Sequence, residues 1–144
     1  MSKFRLEGSS ALITGASAGI GREFARQLAG RASSLVLVAR RQERLEELRD
    51  EITKRNPNLN VHIRAIDLSD NSAVTELCDW IEREKLSIDL LINNAGLGDL
   101  GSFATGELPR VKEMLAVNVT ALTLLTRLLL PGMIAQNQIG RAHV

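Results

Sequence analysis

The sequence has one cysteine, no tyrosine and almost no net charge, and these shortages exclude several classes of protein. The lone cysteine, Cys78, excludes an internal disulfide and is typical of a reducing compartment. A net charge of +1 over 144 residues offers no polybasic surface for nucleic acid. Residues 1–10 hold no apolar run of signal-peptide length. The sequence therefore predicts one soluble, cytoplasmic globular domain without a nucleic-acid partner.

One apolar segment, residues 115–135, resembles a membrane span in composition. Asn118, several threonines and Arg127 interrupt it, and Pro131-Gly132 is expected to break it. We therefore interpret the segment as a buried interface helix and expect no membrane span.

A glycine-rich turn, Thr14-Gly15-Ala16-Ser17-Ala18-Gly19-Ile20-Gly21, lies between a short apolar run and an amphipathic stretch. A strand that runs into such a turn and opens a helix forms a cradle for a pyrophosphate, because backbone N–H groups point at the ligand. The spacing G-x-x-x-G-x-G has a longer first interval than the general dinucleotide fingerprint G-x-G-x-x-G. The turn of some unrelated α/β protein remains an alternative.

The rest of the chain alternates apolar strands with amphipathic helices. Strands are predicted at residues 10–14, 35–39, 61–66 and 88–92, and helices follow at about 20–28, 41–54, from 69 or 70, and from 109. Strand and helix in strict alternation predict an α/β fold, with a doubly wound parallel sheet.

Three later segments strengthen the glycine motif. Asp67-Leu68 follows the third strand, Asn93-Asn94-Ala95-Gly96 follows the fourth, and Asn118 lies in the next helix. In this order, the four segments resemble the classical short-chain dehydrogenase/reductase family. The resemblance covers nearly the whole chain but only the cofactor-binding half of the family's domain. It implies an incomplete Rossmann-type sheet with strand order 3-2-1-4.

The resemblance also implies roles for individual residues. The cradle would be formed by Gly15, Ser17, Ala18, Gly19, Ile20 and Gly21. Asp67 would bind the adenine amino group with Leu68 beside it, or would instead cap a helix. The adenosine ribose would be contacted by Asn94, Ala95 and Gly96. Asn118 would act in catalysis through a backbone carbonyl that holds a water near the catalytic lysine. No metal site is implied.

The end of the second strand predicts the cofactor. An acid there would bind the free ribose 2′-hydroxyl of NAD, whereas arginine accommodates the 2′-phosphate of NADP. The strand leads into Arg40 and Arg41, no acid precedes Glu43, and Arg22 is expected to add positive charge nearby. NADP(H) is favoured and NAD(H) remains possible. The two arginines could instead begin a solvated helix.

The family's chemistry needs a Tyr-x-x-x-Lys pair and a serine, and this chain has no tyrosine. We interpret residues 1–138 as the N-terminal part of one NAD(P)-binding domain, so strand four should lack its outer neighbour. Residues 139–144, Ile-Gly-Arg-Ala-His-Val, match the translation of a common sequencing adapter. They are expected to be a non-native tail on a fragment, unless the chain is a genuine short homologue.

The function predicted from these residues is that of an NADP(H)-dependent oxidoreductase acting on an alcohol/carbonyl pair. The protein would take a small-molecule substrate and form a homo-oligomer when full length. A non-enzymatic dinucleotide-binding or regulatory module, or an inert fragment, is the alternative.

Overall fold

The computed structural model describes residues 5–136 and 140–143. The elements follow in the order β1 (Ser10–Thr14), α1 (Gly19–Leu28), β2 (Ser34–Ala39), α2 (Gln42–Arg55), β3 (Asn60–Ala65), α3 (Asn71–Arg83), β4 (Leu90–Asn93), α4 (Leu108–Leu115), a π-helical segment (Ala116–Ala121), α5 (Leu122–Ala135) and β5 (Gly140–His143). Each predicted strand is confirmed to within a residue or two at its ends.

The sheet is parallel, with strand order β3-β2-β1-β4-β5. β1 lies in the middle, with Ser10 opposite Ser34 on one side and Ala11 opposite Leu90 on the other. The predicted order 3-2-1-4 is confirmed. Because all strands run the same way, the loops after β1, β2, β3 and β4 meet at one edge of the sheet.

The prediction that β4 lacks an outer neighbour is not met, because a fifth strand pairs with it. Residues 140–143 form β5, which pairs with β4 from Leu90↔Gly140 to Asn93↔His143. The ladder uses backbone groups, so a segment of almost any sequence can supply them. The non-native origin of residues 139–144 stays a prediction, and residues 139 and 144 lie outside the described part of the chain.

Two helical layers cover the sheet. Ile13 and Leu37 face a cluster shared with α1 and α2, whereas Leu12 and Val36 face a cluster shared with α3 and α5. Successive strand residues point to opposite faces, so strands apolar along their whole length are buried on both. This burial on both faces explains why the apolar runs in the sequence are continuous rather than alternating.

The helix from Leu108 to Ala135 is continuous, so the predicted break at Pro131-Gly132 is wrong. α5 runs through Pro131, and Leu125, Leu129 and Met133 are buried in the cluster shared with α3. This packing offsets the hydrogen bond that proline removes. The helix is long and apolar enough to cross a membrane, with mean hydropathy 1.6 over its best window and 22% of that window buried. It buries one stripe rather than its whole surface.

Candidate functional site

A cleft of about 280 Å³ opens at the carboxyl ends of β1 to β4. Its lining comes from five separate parts of the chain: Gly15, Ser17, Ala39, Arg40, Arg41, Ile66, Asp67, Leu68, Ala95, Gly96, Leu97 and Val117. In open α/β sheets, ligands bind in the crevice outside the carboxyl ends of the strands. Most of the predicted cofactor-binding residues therefore meet in one place.

The glycine turn packs too tightly for side chains at two of its positions. Gly15 has φ +67°, and a Cβ there would lie 2.9 Å from the Cα of Ala95. A Cβ on Gly21 would collide with Nδ2 of Asn94 and the carbonyl oxygen of Gly15. Gly19 also has positive φ, but no described atom lies within 4 Å of where its Cβ would be. Gly15 and Gly21 thus permit close packing, and Gly19 leaves open space at the start of α1.

Hydrogen bonds from Thr14 and Asn94 join the ends of β1 and β4. The backbone amides of Asn94 and Ala95 both donate to Oγ1 of Thr14 at 3.0 Å. Nδ2 of Asn94 donates to the carbonyl oxygens of Thr14 at 3.0 Å and Gly15 at 3.3 Å. We call residues 14–21 together with Asn94 and Ala95 the glycine corner. The side-chain nitrogen of Asn94 is thus bonded within the corner, and its ribose contact stays a prediction.

The first turn of α1 begins two residues after Ser17, which lines the cleft. Ala18, the residue before the helix, offers no side-chain cap, and the first turn contains no acid. The N–H groups of this turn therefore remain available for an anionic ligand. Ile20 projects outward with 60% of its surface exposed, although it is apolar.

Arg40 and Arg41 follow β2 directly and are exposed at the cleft. Nη1 of Arg40 lies 3.6 Å from Oε1 of Glu113 on α4. Arg41 is the residue before α2 and makes no ion pair with any residue in the described part of the chain. Two guanidinium groups therefore stand where the sequence predicted them.

Arg22 does not add its charge to the cleft, contrary to the prediction. Its Nη2 lies 3.3 Å from Oε2 of Glu51 on α2, and Arg26 donates to the same carboxylate at 2.8 and 2.9 Å. Hydrogen bonding from Arg26, with Arg22 contributing less, lowers the pKa of Glu51. The opposite charge on α2 thus holds Arg22 between the two helices.

Asp67 stands after β3 as an exposed carboxylate in the lining of the cleft. Its Oδ1 accepts from the backbone N–H of Ser69 at 2.9 Å and from the Ser69 hydroxyl at 2.8 Å. These bonds lower the pKa of Asp67, and the charge of Arg40 acts in the same direction. Asp70 is the residue that caps α3, through Ser72. Asp67 is therefore ionised at neutral pH, and the cap considered for it belongs to Asp70. Leu68 beside it is buried.

Asn118 lies in the π-helical segment and clasps the loop after Gly96. Its Oδ1 accepts from the N–H of Leu97 at 2.8 Å, and its Nδ2 donates to the carbonyl oxygen of Leu97 at 2.7 Å. A polar side chain in so apolar a helix needs such partners, and π-helical turns occur frequently at functional sites. These two hydrogen bonds connect the loop at Leu97, which lines the cleft, to the long helix.

Metal and thiol chemistry find no support in the described residues. No group of three His, Cys, Asp or Glu side chains there could hold a metal ion. Burial raises the pKa of the Cys78 thiol to about 11, so the thiol stays protonated at neutral pH. Cys78 therefore acts in packing.

This arrangement of strand order, glycine corner and cleft matches known proteins. The family model described as short chain dehydrogenase matches residues 9–142. The chain belongs to the short-chain dehydrogenase family. The Rossmann-type α/β fold expected from the resemblance is the fold of this family.

Among curated relatives, the chain is similar to a very-long-chain 3-oxoacyl-CoA reductase of Coccidioides immitis, with 35% identity over 96% of this chain and 40% of the relative. It is also similar to the NADP-dependent 3-hydroxy acid dehydrogenase YdfG of Escherichia coli K12, with 35% identity over 88% of this chain and 49% of the relative. The structure of L-sorbose reductase from Gluconobacter frateurii, complexed with NADPH and L-sorbose, superposes with TM-score 0.88 and 29% identity. That match covers 95% of this chain and 52% of the reductase. The chain thus spans about half the length, or less, of these short-chain dehydrogenases.

Two residues next to the cleft, Thr14 and Glu113, were given no role by the sequence. Thr14 carries the hydroxyl that accepts from two amides, and its place at the end of a buried strand before a glycine was the available signal. Glu113 faces Arg40 across 73 positions of sequence, and no local pattern distinguishes it from other helical acids.

Proposed function

We propose that this chain binds NADP(H) in the cleft and serves an oxidoreductase that acts on an alcohol/carbonyl pair. The observation that carries the proposal is the pair Arg40 and Arg41 at the end of β2, in a cleft bounded by a glycine corner. The NADP-dependent YdfG and the NADPH complex of L-sorbose reductase support the choice of cofactor.

The glycine corner fits a pyrophosphate. Gly15 and Gly21 let the corner pack closely on itself, and the open space at Gly19 leaves room for a ligand beside the backbone. Together with Ser17, Ala18 and the exposed Ile20, these residues would hold the phosphates at the start of α1. The absence of an acid in the first turn removes a source of repulsion.

Arg40 and Arg41 would select the 2′-phosphate. A charge-assisted hydrogen bond is worth about 1.5–3 kcal/mol, which corresponds to roughly a ten- to hundredfold preference. The free 2′-hydroxyl of NAD(H) is uncharged, so it gains no ion pair with either guanidinium. The end of β2 also has no acid that could accept a hydrogen bond from it.

The remaining lining would hold the adenosine. Asp67 is ionised, and its Oδ1 is engaged by Ser69, so Oδ2 would accept from the adenine amino group. Leu68 would pack beside the base, and Ala95 and Gly96 would line the ribose with Asn94 behind them.

The bound nicotinamide would supply hydride chemistry, and the protein must then manage a proton. The family's Tyr-x-x-x-Lys pair does not occur among these 144 residues. Asn118 would contribute through its backbone carbonyl, since both ends of its side chain are bonded to Leu97. Cytoplasmic location and assembly into a homo-oligomer belong to the same proposal.

The test measures dissociation constants for NADPH and NADH on the chain itself, by calorimetry or nicotinamide fluorescence. The wild type should prefer NADPH, and the double variant R40A/R41A should lose roughly ten- to a hundredfold in NADPH affinity while NADH affinity changes little. The control R44A/R49A removes two positive charges from α2 outside the cleft lining, at the exposed Arg44 and the partly exposed Arg49. Equal binding of both cofactors to the wild type, or equal losses in the two double variants, would contradict the proposal.

A second measurement separates binding from catalysis. Because the chain has no tyrosine, it should bind NADPH without oxidising it in the presence of ketones. Ketone-dependent oxidation that disappears in N118A would mean that another group donates the proton. The absence of both binding and oxidation would favour the inert fragment.

A further inference from the structure

The carboxylate of Glu113 lies between two arginines beside the cleft. Oε2 accepts from Nη1 of Arg110 at 2.7 Å, and Oε1 lies 3.6 Å from Nη1 of Arg40. Nη2 of Arg110 also donates to the carbonyl oxygen of Gly98 at 2.7 Å. The side chains of Arg40, Glu113 and Arg110 therefore form a charged network that links the end of β2 to α4 and to the loop after β4.

The two contacts of Glu113 are unequal. The bond to Arg110 has the length of a charge-assisted hydrogen bond, whereas 3.6 Å to Arg40 is too long for a hydrogen bond. The Arg40 side chain is also 59% exposed, so solvent screens the contact further. Arg40 can thus exchange Glu113 for a better anion, while Glu113 stays with Arg110.

The other acid that acts on Arg40 is Asp67, but it forms no ion pair with Arg40 in the described structure. Oδ1 of Asp67 accepts two hydrogen bonds from Ser69 instead. Oε1 of Glu113, in contrast, lies within ion-pair distance of Arg40. Among the described residues, Glu113 is the acid that forms an ion pair with Arg40.

We propose that Glu113 sets the cofactor preference of the cleft, because it competes with the 2′-phosphate for Arg40 while Arg110 restrains it. This inference rests on the proposed binding of NADP(H). A phosphate monoester carries about −1.5 to −2 charges at pH 7, so it both attracts Arg40 and repels Glu113. An uncharged 2′-hydroxyl does neither. Glu113 therefore weakens the binding of 2′-phosphorylated ligands and leaves that of their unphosphorylated counterparts unchanged.

The test uses two probes that differ by the 2′-phosphate, namely 2′,5′-ADP and 5′-AMP, with dissociation constants measured by calorimetry on the full chain at low salt. E113Q should bind 2′,5′-ADP about three- to tenfold more tightly, with 5′-AMP affinity within about twofold of wild type. The gain should shrink as salt is added. The control E107Q makes the same charge change about 9 Å along the helix axis, at a residue that forms no ion pair with the described residues.

A second variant tests the restraint from Arg110. R110Q should weaken the binding of 2′,5′-ADP, because Glu113 would then be free to approach Arg40. In the E113Q background the same change should have a much smaller effect, so the double variant should behave like E113Q. Equal effects of R110Q in both backgrounds would overturn the competition.

The outcomes separate the inference from the function on which it rests. If the wild type binds both probes equally, the proposed preference for NADP(H) is wrong. If it prefers 2′,5′-ADP but E113Q and E107Q change that preference equally, the function stands and the role of Glu113 is wrong. A gain confined to E113Q supports both.

Discussion

The two sides of the cleft are built in different ways. In the glycine corner, Thr14 and Asn94 make hydrogen bonds of 3.0 Å to backbone groups, and neighbouring backbones touch at Gly15 and Gly21. Opposite it, residues 97–113 form a loop–α4 region in which α4 has no side chain that the described residues bury fully. That region depends on the Asn118 clasp and on the partly exposed ion pair of Glu113 with Arg110.

The difference shows where the cleft is rigid and where it can adapt. Packed backbone contacts have no alternative partner, since any shift leaves amides unbonded or atoms overlapping. Surface ion pairs exchange readily with ligands and salt. The pyrophosphate side should therefore be preformed, whereas the side that faces Arg40 should respond to what binds.

The largest expected effect is that of G21A, which tests the packing of the glycine corner. An added methyl group would collide with backbone and with the amide of Asn94, so the free energy of unfolding should fall by about 3 kcal/mol. Urea denaturation measures it. The control G132A places the same methyl group on a helical glycine, where no described atom lies within 4 Å of it. That variant should be stabilised by about 0.5–1 kcal/mol, and similar destabilisation in both would argue against a packed corner.

A smaller loss is expected for T14V, which keeps the shape of Thr14 but removes its hydroxyl. The amide of Ala95 would lose its acceptor and that of Asn94 would keep only its bond to the Ile92 carbonyl oxygen, at a cost of about 2 kcal/mol. T14S retains the hydroxyl and should cost about 1 kcal/mol or less for the missing methyl group. The difference should persist in added salt, since no ionised group takes part. If T14V and T14S unfold at the same urea concentration, the hydroxyl does not hold the corner.

The smallest change in stability is expected for R110Q in the loop–α4 region. The partly exposed ion pair with Glu113 and the exposed hydrogen bond to the Gly98 carbonyl oxygen together contribute about 1 kcal/mol or less, and added salt should weaken the ion-pair part. The same variant should still alter the binding of 2′,5′-ADP, as proposed above. A loss as large as that of T14V would mean that both sides of the cleft are equally rigid.

Much of this fold was predictable from local patterns. The apolar runs in β1 and β2 predicted buried parallel strands. The glycine spacing predicted the corner, because glycine adopts φ +67° at Gly15 without strain and has no side chain to block the backbone contact at Gly21. Arg40, Arg41 and Asp67 all line the cleft, since residues that follow parallel strands meet at one edge of the sheet, while their contacts with a cofactor stay a prediction.

Other expectations failed because partners distant in sequence decided them. Arg22 lies next to the glycine turn, yet Glu51 of α2 holds its guanidinium. Pro131 does not end the long helix, because buried side chains on either side of it pack against the sheet and α3. The pairing of β5 with β4 depends on backbone groups rather than on an apolar pattern.

The sequence by itself determined the alternation of strands and helices, because periodicity is a local property, and its four motifs resembled a family whose fold implied the strand order and the nucleotide-binding edge of the sheet. The tertiary structure alone decided which charges face one another. Arg22 pairs with Glu51, Arg40 faces Glu113, and Asn118 clasps Leu97. Such pairs depend on how the helices pack on the sheet. A polar side chain then bonds to the nearest opposite charge, or to the nearest donor or acceptor without a partner, that this packing brings close.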